Sequence, residues 1–260
     1  MIAAVGLGLV IGVLLGLLGG GGSILAVPAL VYGIGMPLSA AIPTSLIVVG
    51  VSSATAVLPR LRGKQVQWRI AAVFGVTGAA AAFGGAAVNR LLEPRVVLIG
   101  FAAVMVAAAL RMLREQEESG GDCALPGGRV NWRSCLPKAI GSGIVVGFLT
   151  GLFGVGGGFL IIPALTLLLG LPMAVAVGTS LVIVVINSAA GFVAHMGDAT
   201  IDWRIAVAFT LAAVVGSIAA GRLGSRLPAT TLRRWFAYLV FAVAAFVVVQ
   251  AVVNSAALGG

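Results

Sequence analysis

From residue 2 to residue 253 the chain is a succession of apolar runs with almost no charge inside them, and most are as long as a bilayer is thick. A hydrocarbon core of about 30 Å takes about 20 helical residues per crossing. By that ruler the runs are 2–18, 24–34, 38–58, 70–88, 96–113, 139–153, 159–171, 173–196, 205–223 and 235–253. The second and seventh are too short to span comfortably, and each follows a glycine cluster, 19–22 (GGGG) and 154–158 (GVGGG). Only 9% of the residues are charged and 60% are hydrophobic, where an average soluble domain is roughly a quarter charged. That balance excludes a water-soluble enzyme, a disordered tail and a nucleic-acid-binding module. It predicts an all-α integral membrane protein whose solvent is the lipid bilayer.

The runs form two copies of one unit. A shift of 135 residues lays 12–46 on 147–181 without a gap, with 17 identities in 35 positions, where about four would arise by chance in so skewed a composition. Pro28 pairs with Pro163, Pro37 with Pro172, Thr44 with Thr179 and Ser45 with Ser180, and the same offset later pairs Trp68-Arg69 with Trp203-Arg204. The sequence therefore divides into a first transmembrane repeat (1–113), a polar connecting loop (114–138) and a second transmembrane repeat (139–260).

The net charge of +9 is a topology signal. If each glycine-interrupted region crosses an odd net number of times, 59–69, 111–138 and 222–234 share one side and hold 13 of the 16 Lys and Arg. An even count splits them 10 to 6. The positive-inside rule favours the odd count, hence inverted repeats with both termini outside. An odd count allows three crossings, or one crossing plus a hairpin bent at the glycines. Eight spans in parallel repeats is the alternative. Cys123 and Cys135 lie in the polar loop on the basic side; a disulfide there needs an oxidising compartment, so the topology predicts reduced thiols, because the cytosol keeps them so.

Small residues at i, i+4, i+8, such as Gly8, Gly12 and Gly16 and again Gly143 and Gly147, are accounted for by close helix packing. The clusters at 19–22 and 154–158 are not. Each glycine weakens a helix by about 1 kcal/mol, so each cluster predicts a broken helix, tolerated at membrane depth only where it lines a cavity or is buried in protein. Paired breaks in two halves point to a transporter's substrate site, with backbone amides and a helix dipole suited to an anion. The hydroxyl pairs Thr44-Ser45 and Thr179-Ser180 recur at the repeat offset, and Asn187 is the most polar side chain inside any run. The candidate substrate-lining set is Gly21, Gly22, Ser23, Thr44, Ser45, Gly156, Gly157, Gly158, Thr179, Ser180 and Asn187.

No Asp, Glu, Lys or Arg lies in the middle of a run, which disfavours a cation pump. The single histidine, His195, falls at the end of a run and is read as surface. Without a nucleophile and base at depth no catalytic residue can be named, so an enzyme is not expected. No metal or cofactor is implied. Stripes such as Gly75, Ala79 and Ala82 fit packing within a chain or between copies, which leaves a homo-oligomer open.

The segment GLLGGGGSILAVPALVYGIGMPLSAAIPTSL and its copy GFLTGLFGVGGGFLIIPALTLLLGLPMAVAVGTSL resemble the duplicated motif of the sulfite exporter TauE/SafE family of membrane permeases. The second copy has Gly154, Gly156, Gly157, Gly158, Pro163, Leu165, Gly178, Thr179 and Ser180 in place. The first departs at Ser23 and Pro43, where the second has Gly158 and Gly178. The resemblance implies a secondary transporter for a small anionic substrate, sulfite or an organosulfonate, in a bacterial inner membrane, with alternating access at the interface of the repeats. A passive anion channel, and a membrane subunit or scaffold acting only with a partner, are the alternatives.

Overall fold

The structure, a computed structural model, describes residues 2–63, 65–89, 91–114, 124–125, 129–130, 132–153, 158–195, 201–224 and 228–257. The helices are α1 (Ile2–Leu18), α2 (Ala26–Pro28), α3 (Leu38–Arg62), α4 (Trp68–Asn89), α5 (Pro94–Arg114), α6 (Trp132–Phe153), α7 (Gly158–Pro163), α8 (Met173–His195), α9 (Trp203–Gly224) and α10 (Ala229–Ala257). Two short strands in the polar loop, β1 (Ala124–Leu125) and β2 (Arg129–Val130), pair antiparallel with Ala124 opposite Val130. Among the described residues, six helical stretches are long and apolar enough to cross a membrane: Ala3–Gly33, Ala40–Leu61, Trp68–Asn89, Cys135–Phe153, Met173–Val193 and Trp203–Gly224. Trp68 and Trp203 open α4 and α9 and are exposed, as aromatic anchors at a membrane interface are.

The first glycine cluster ends α1. Gly19 takes φ +64°, a left-handed conformation that side chains resist, and Gly19–Leu25 winds as a 3₁₀ helix. The chain then reverses: Gly22 lies against Leu14 and Leu15, and Gly33 against Leu7. The returning leg, α2 followed by a π-helical turn over Ala29–Gly33, thus lies antiparallel on α1. The second half echoes it, with α7 leading into a π turn over Ala164–Leu168. Gly35 (φ +80°) and Gly170 (φ +65°) close the two legs at equivalent positions. Residues 154–157 lie outside the described residues.

The halves interlock. Gly8 meets Phe209, Gly12 meets Ala213 and Gly16 meets Ser217, so α1 runs parallel to α9. Gly143 meets Phe74, Gly147 meets Gly78 and Gly151 meets Ala82, which sets α6 against α4 by the same contacts with the halves exchanged. Backbone approaches this close are what small-residue stripes provide in lipid. Gly75 and Ala82 pack inside the chain, on Ile186 and Gly151. Between the equivalent helices α3 and α8 the register descends, Gly50 beside Ser188 and Leu46 beside Gly191, so these two are antiparallel. α5 and α10, also equivalent at the repeat offset, pack on each other.

Two expectations change. The run expected to stop at residue 58 continues over Pro59 to Arg62, because the last turns of α3 are braced by α9, where Gly221 faces Ala56 and Pro59. Arg60, counted above with a connecting loop, is therefore inside a helix and 1% exposed. Cys135 is disulfide-bonded rather than reduced. It is fully buried at the start of α6, and burial shields a disulfide from the reductants that keep accessible cytosolic thiols reduced. Cys123 lies outside the described residues.

Candidate functional site

The two breaks meet. Gly20 and Gly158 touch through their backbones, and Ser23 sits beside both, donating its hydroxyl proton to the Gly20 carbonyl oxygen at 2.6 Å. The N-terminal turns of α8 pack on the same place: Ser180 Oγ accepts from the Gly20 amide at 3.4 Å and donates to the Val177 carbonyl at 2.9 Å. Glycines are required here because a side chain on either strand of the contact would collide with the opposing carbonyl. Residues 135 apart in sequence thus reach one locus from both halves.

Beside this contact, a cavity of about 710 Å³ opens between α1, its returning leg, α3, α5, α8 and α10. Its walls are apolar, among them Ile11, Leu46, Val49 and Phe101, with the hydroxyl-bearing Ser23, Ser45 and Ser188. Phe101 stacks edge-on against Phe153 and Phe159, both centroids at 5.3 Å. Tyr32 and Phe246, edge-on at 6.3 Å, stand at its exposed margin.

Of the candidate residues, Ser23 and Ser45 line this cavity. Gly21 packs on the Phe236 ring of α10 and Gly22 on α1, both behind the wall. Gly158 and Ser180 are at the contact of the breaks. Thr179 is buried and accepts from the Gln67 amide at 3.1 Å, while neighbouring Gly178 makes room for the Gln65 carbonyl. Thr44 is fully buried with no partner for Oγ1, and Asn187 has an unpartnered, buried Oδ1. Gly156 and Gly157 lie outside the described residues.

The hydroxyl protons are largely spoken for. Ser45 donates to Ile42 at 2.7 Å and Ser52 to Val48, so with Ser23 and Ser180 these groups keep only acceptor lone pairs in this conformation. Nor is there a bare helix start at the first break, since the 3₁₀ stretch runs directly out of α1. Sequence reasoning missed the aromatic wall and Arg60. The only signal for Arg60 was a basic residue directly after the proline that seemed to end the run.

The sequence profile of the sulfite exporter TauE/SafE family matches residues 4–247. The chain belongs to that family. Among similar proteins, a probable membrane transporter protein of Xylella fastidiosa (strain Temecula1) is 34% identical over 257 residues, covering 95% of each chain. The probable membrane transporter protein YunE of Bacillus subtilis (strain 168) is 30% identical over 243 residues, covering 85% of this chain and 86% of its own. No solved structure matches at a significant level. This TauE/SafE protein is therefore a multi-pass membrane permease by family and by its apolar helices.

Proposed function

We propose that the protein is a secondary transporter of small sulfur-containing anions, sulfite or organosulfonates, across a bacterial inner membrane. The observation that carries this reading is the meeting of the two broken helices at Gly20 and Gly158, with the hydroxyl of Ser180 on one of the freed amides. Paired breaks at the interface of two repeats are where secondary transporters hold their substrates. The antiparallel register of α3 and α8 supports inverted repeats, 1–113 and 139–260 around the 114–138 loop, and alternating access by rocking one against the other. A cavity of about 710 Å³ with apolar walls supports an anion with an organic body as well as sulfite itself.

The test is uptake of radiolabelled sulfite, and of a sulfonate such as methanesulfonate, by proteoliposomes holding the purified chain alone. Saturable uptake that shows counterflow is the expected result. Linear, non-exchanging flux would mean a channel, and no flux from folded protein would mean a subunit that needs a partner.

A further inference from the structure

Arg60 is a buried cation with no counter-ion among the described residues. Its side chain is 1% exposed, yet only Nη2 has a partner, the Gly16 carbonyl oxygen at 2.9 Å; Nε and Nη1, which carry three of the five N–H protons, have none. Among the described residues the carboxylates are Glu93 and Asp202. Asp202 caps the start of α9 through the Arg204 and Ile205 amides, whereas Arg60 lies against Gly224 at the other end of that helix. Glu93 precedes α5, which packs on α10, α6 and α7 rather than on the helices around Arg60.

The guanidinium tolerates this place because three helix C-termini converge on it: those of α1, α3 and α9. Their negative ends stabilise a cation, and the Gly16 carbonyl it binds is one that the glycine break leaves without an intrahelical donor. Charge is thus balanced while donors stay unused. An ionised group inside a membrane span is a functional-site signal in its own right.

Arg60 lies on the same face of α3 as the cavity wall, about 16 Å further along the helix than Val49. At about 100° per residue, Ile42, Ser45, Leu46 and Val49, which face the cavity, occupy an arc of about 100° on α3, and Ser53 and Arg60 fall in the same arc. Ser53 is fully buried with an unpartnered hydroxyl. One face of α3 therefore leads from the cavity past Ser53 to Arg60, whose side chain leans back toward the cavity as helical side chains do. At the equivalent position the second half has His195, the last residue of α8, so only one end of the pair carries a permanent charge.

We propose that Arg60 is the anion-recognising residue of the pathway, its free edge taking one small oxyanion group (sulfite, sulfonate or carboxylate) that enters along the Val49–Ser53 face of α3. Arginine suits this role because its fork matches two oxygens of such a group at once. The inference rests on the permease reading above.

The experiment compares wild type, Arg60→Lys and Arg60→Met in sulfite uptake by proteoliposomes, with thermal unfolding of each purified chain as a folding check. Arg60→Lys keeps the charge but loses the fork, and its KM for sulfite should rise by about tenfold, the worth of one charge-assisted hydrogen bond, with maximal rate within a few-fold of wild type. Arg60→Met should abolish saturable uptake. If Arg60→Met does not fold, the KM of Arg60→Lys decides alone. An unchanged KM in Arg60→Lys, with or without a lowered unfolding temperature, makes Arg60 a helix-end staple and overturns the inference while leaving the permease reading intact. Absence of sulfite and methanesulfonate uptake by wild type overturns both.

Discussion

Gly20 and Gly158 face each other across the two halves so closely that a β-carbon on either would run into the other's carbonyl oxygen. Neither carbonyl can move without unwinding its own segment. Gly158→Ala should therefore cost about 1–3 kcal/mol of stability, the usual penalty of overpacking. Gly6→Ala and Gly141→Ala, where nothing lies within 4 Å, should be neutral or gain up to about 1 kcal/mol from helix propensity. Thermal unfolding in detergent compares them; equal midpoints for all three would mean that the breaks do not touch.

The exchanged helix pairs make a second, symmetric prediction. Gly12 lies on Ala213 and Gly147 on Gly78, equivalent contacts at separate places. Gly12→Ala and Gly147→Ala should destabilise by similar amounts, and the double variant by their sum to within about 0.5 kcal/mol. A double variant no worse than either single one would show that the two interfaces open together.

Much of this architecture was legible because periodicity and repetition are sequence properties. Every apolar run became a helix or a returning leg, and the offset that pairs Pro28 with Pro163 also pairs the π turns at Ala29–Gly33 and Ala164–Leu168. The partner of each glycine stripe was not legible. Gly12 carries no mark that points to Ala213, because van der Waals contact between small residues has no chemical code. Ser23 and Ser45 were found as polar residues in apolar runs, but the direction of a hydroxyl proton, toward Gly20 or Ile42, is decided by the local backbone. Arg60 escaped because Pro59 looks like a stop signal, and only the brace from α9 carries the helix through it.

The antiparallel register of α3 and α8 predicts where the anchoring tryptophans sit. In a background free of cysteine, Trp68→Cys and Trp203→Cys, both at exposed positions, should react with a membrane-impermeant thiol reagent from opposite faces of sealed vesicles. Labelling of both from one face would rule out inverted halves.

Cavity shape should set selectivity among anions. Val49 is buried on the cavity wall, and Val49→Phe adds a ring to that space. Uptake of a sulfonate with a bulky apolar body should fall by at least about tenfold, of the order of one to two lost apolar contacts, while sulfite uptake changes less. Equal losses for both anions would remove the cavity from the specificity-determining path.

Cys135, disulfide-bonded and fully buried, should resist alkylation until a reductant and a denaturant are both present. Mass spectrometry of the alkylated chain reads this directly; modification by denaturant alone would show a free thiol.

The exchange of helices between halves bears on how the protein is made. α1 is synthesised long before α9, yet the surface its glycines fit belongs to α9, which begins only at Trp203. Until then Gly8, Gly12 and Gly16 have lipid or an insertion factor for company, and a nascent chain stopped after α8 is a molecule with an open seam. Quality control that degrades such chains would be reading an unfilled groove on α1.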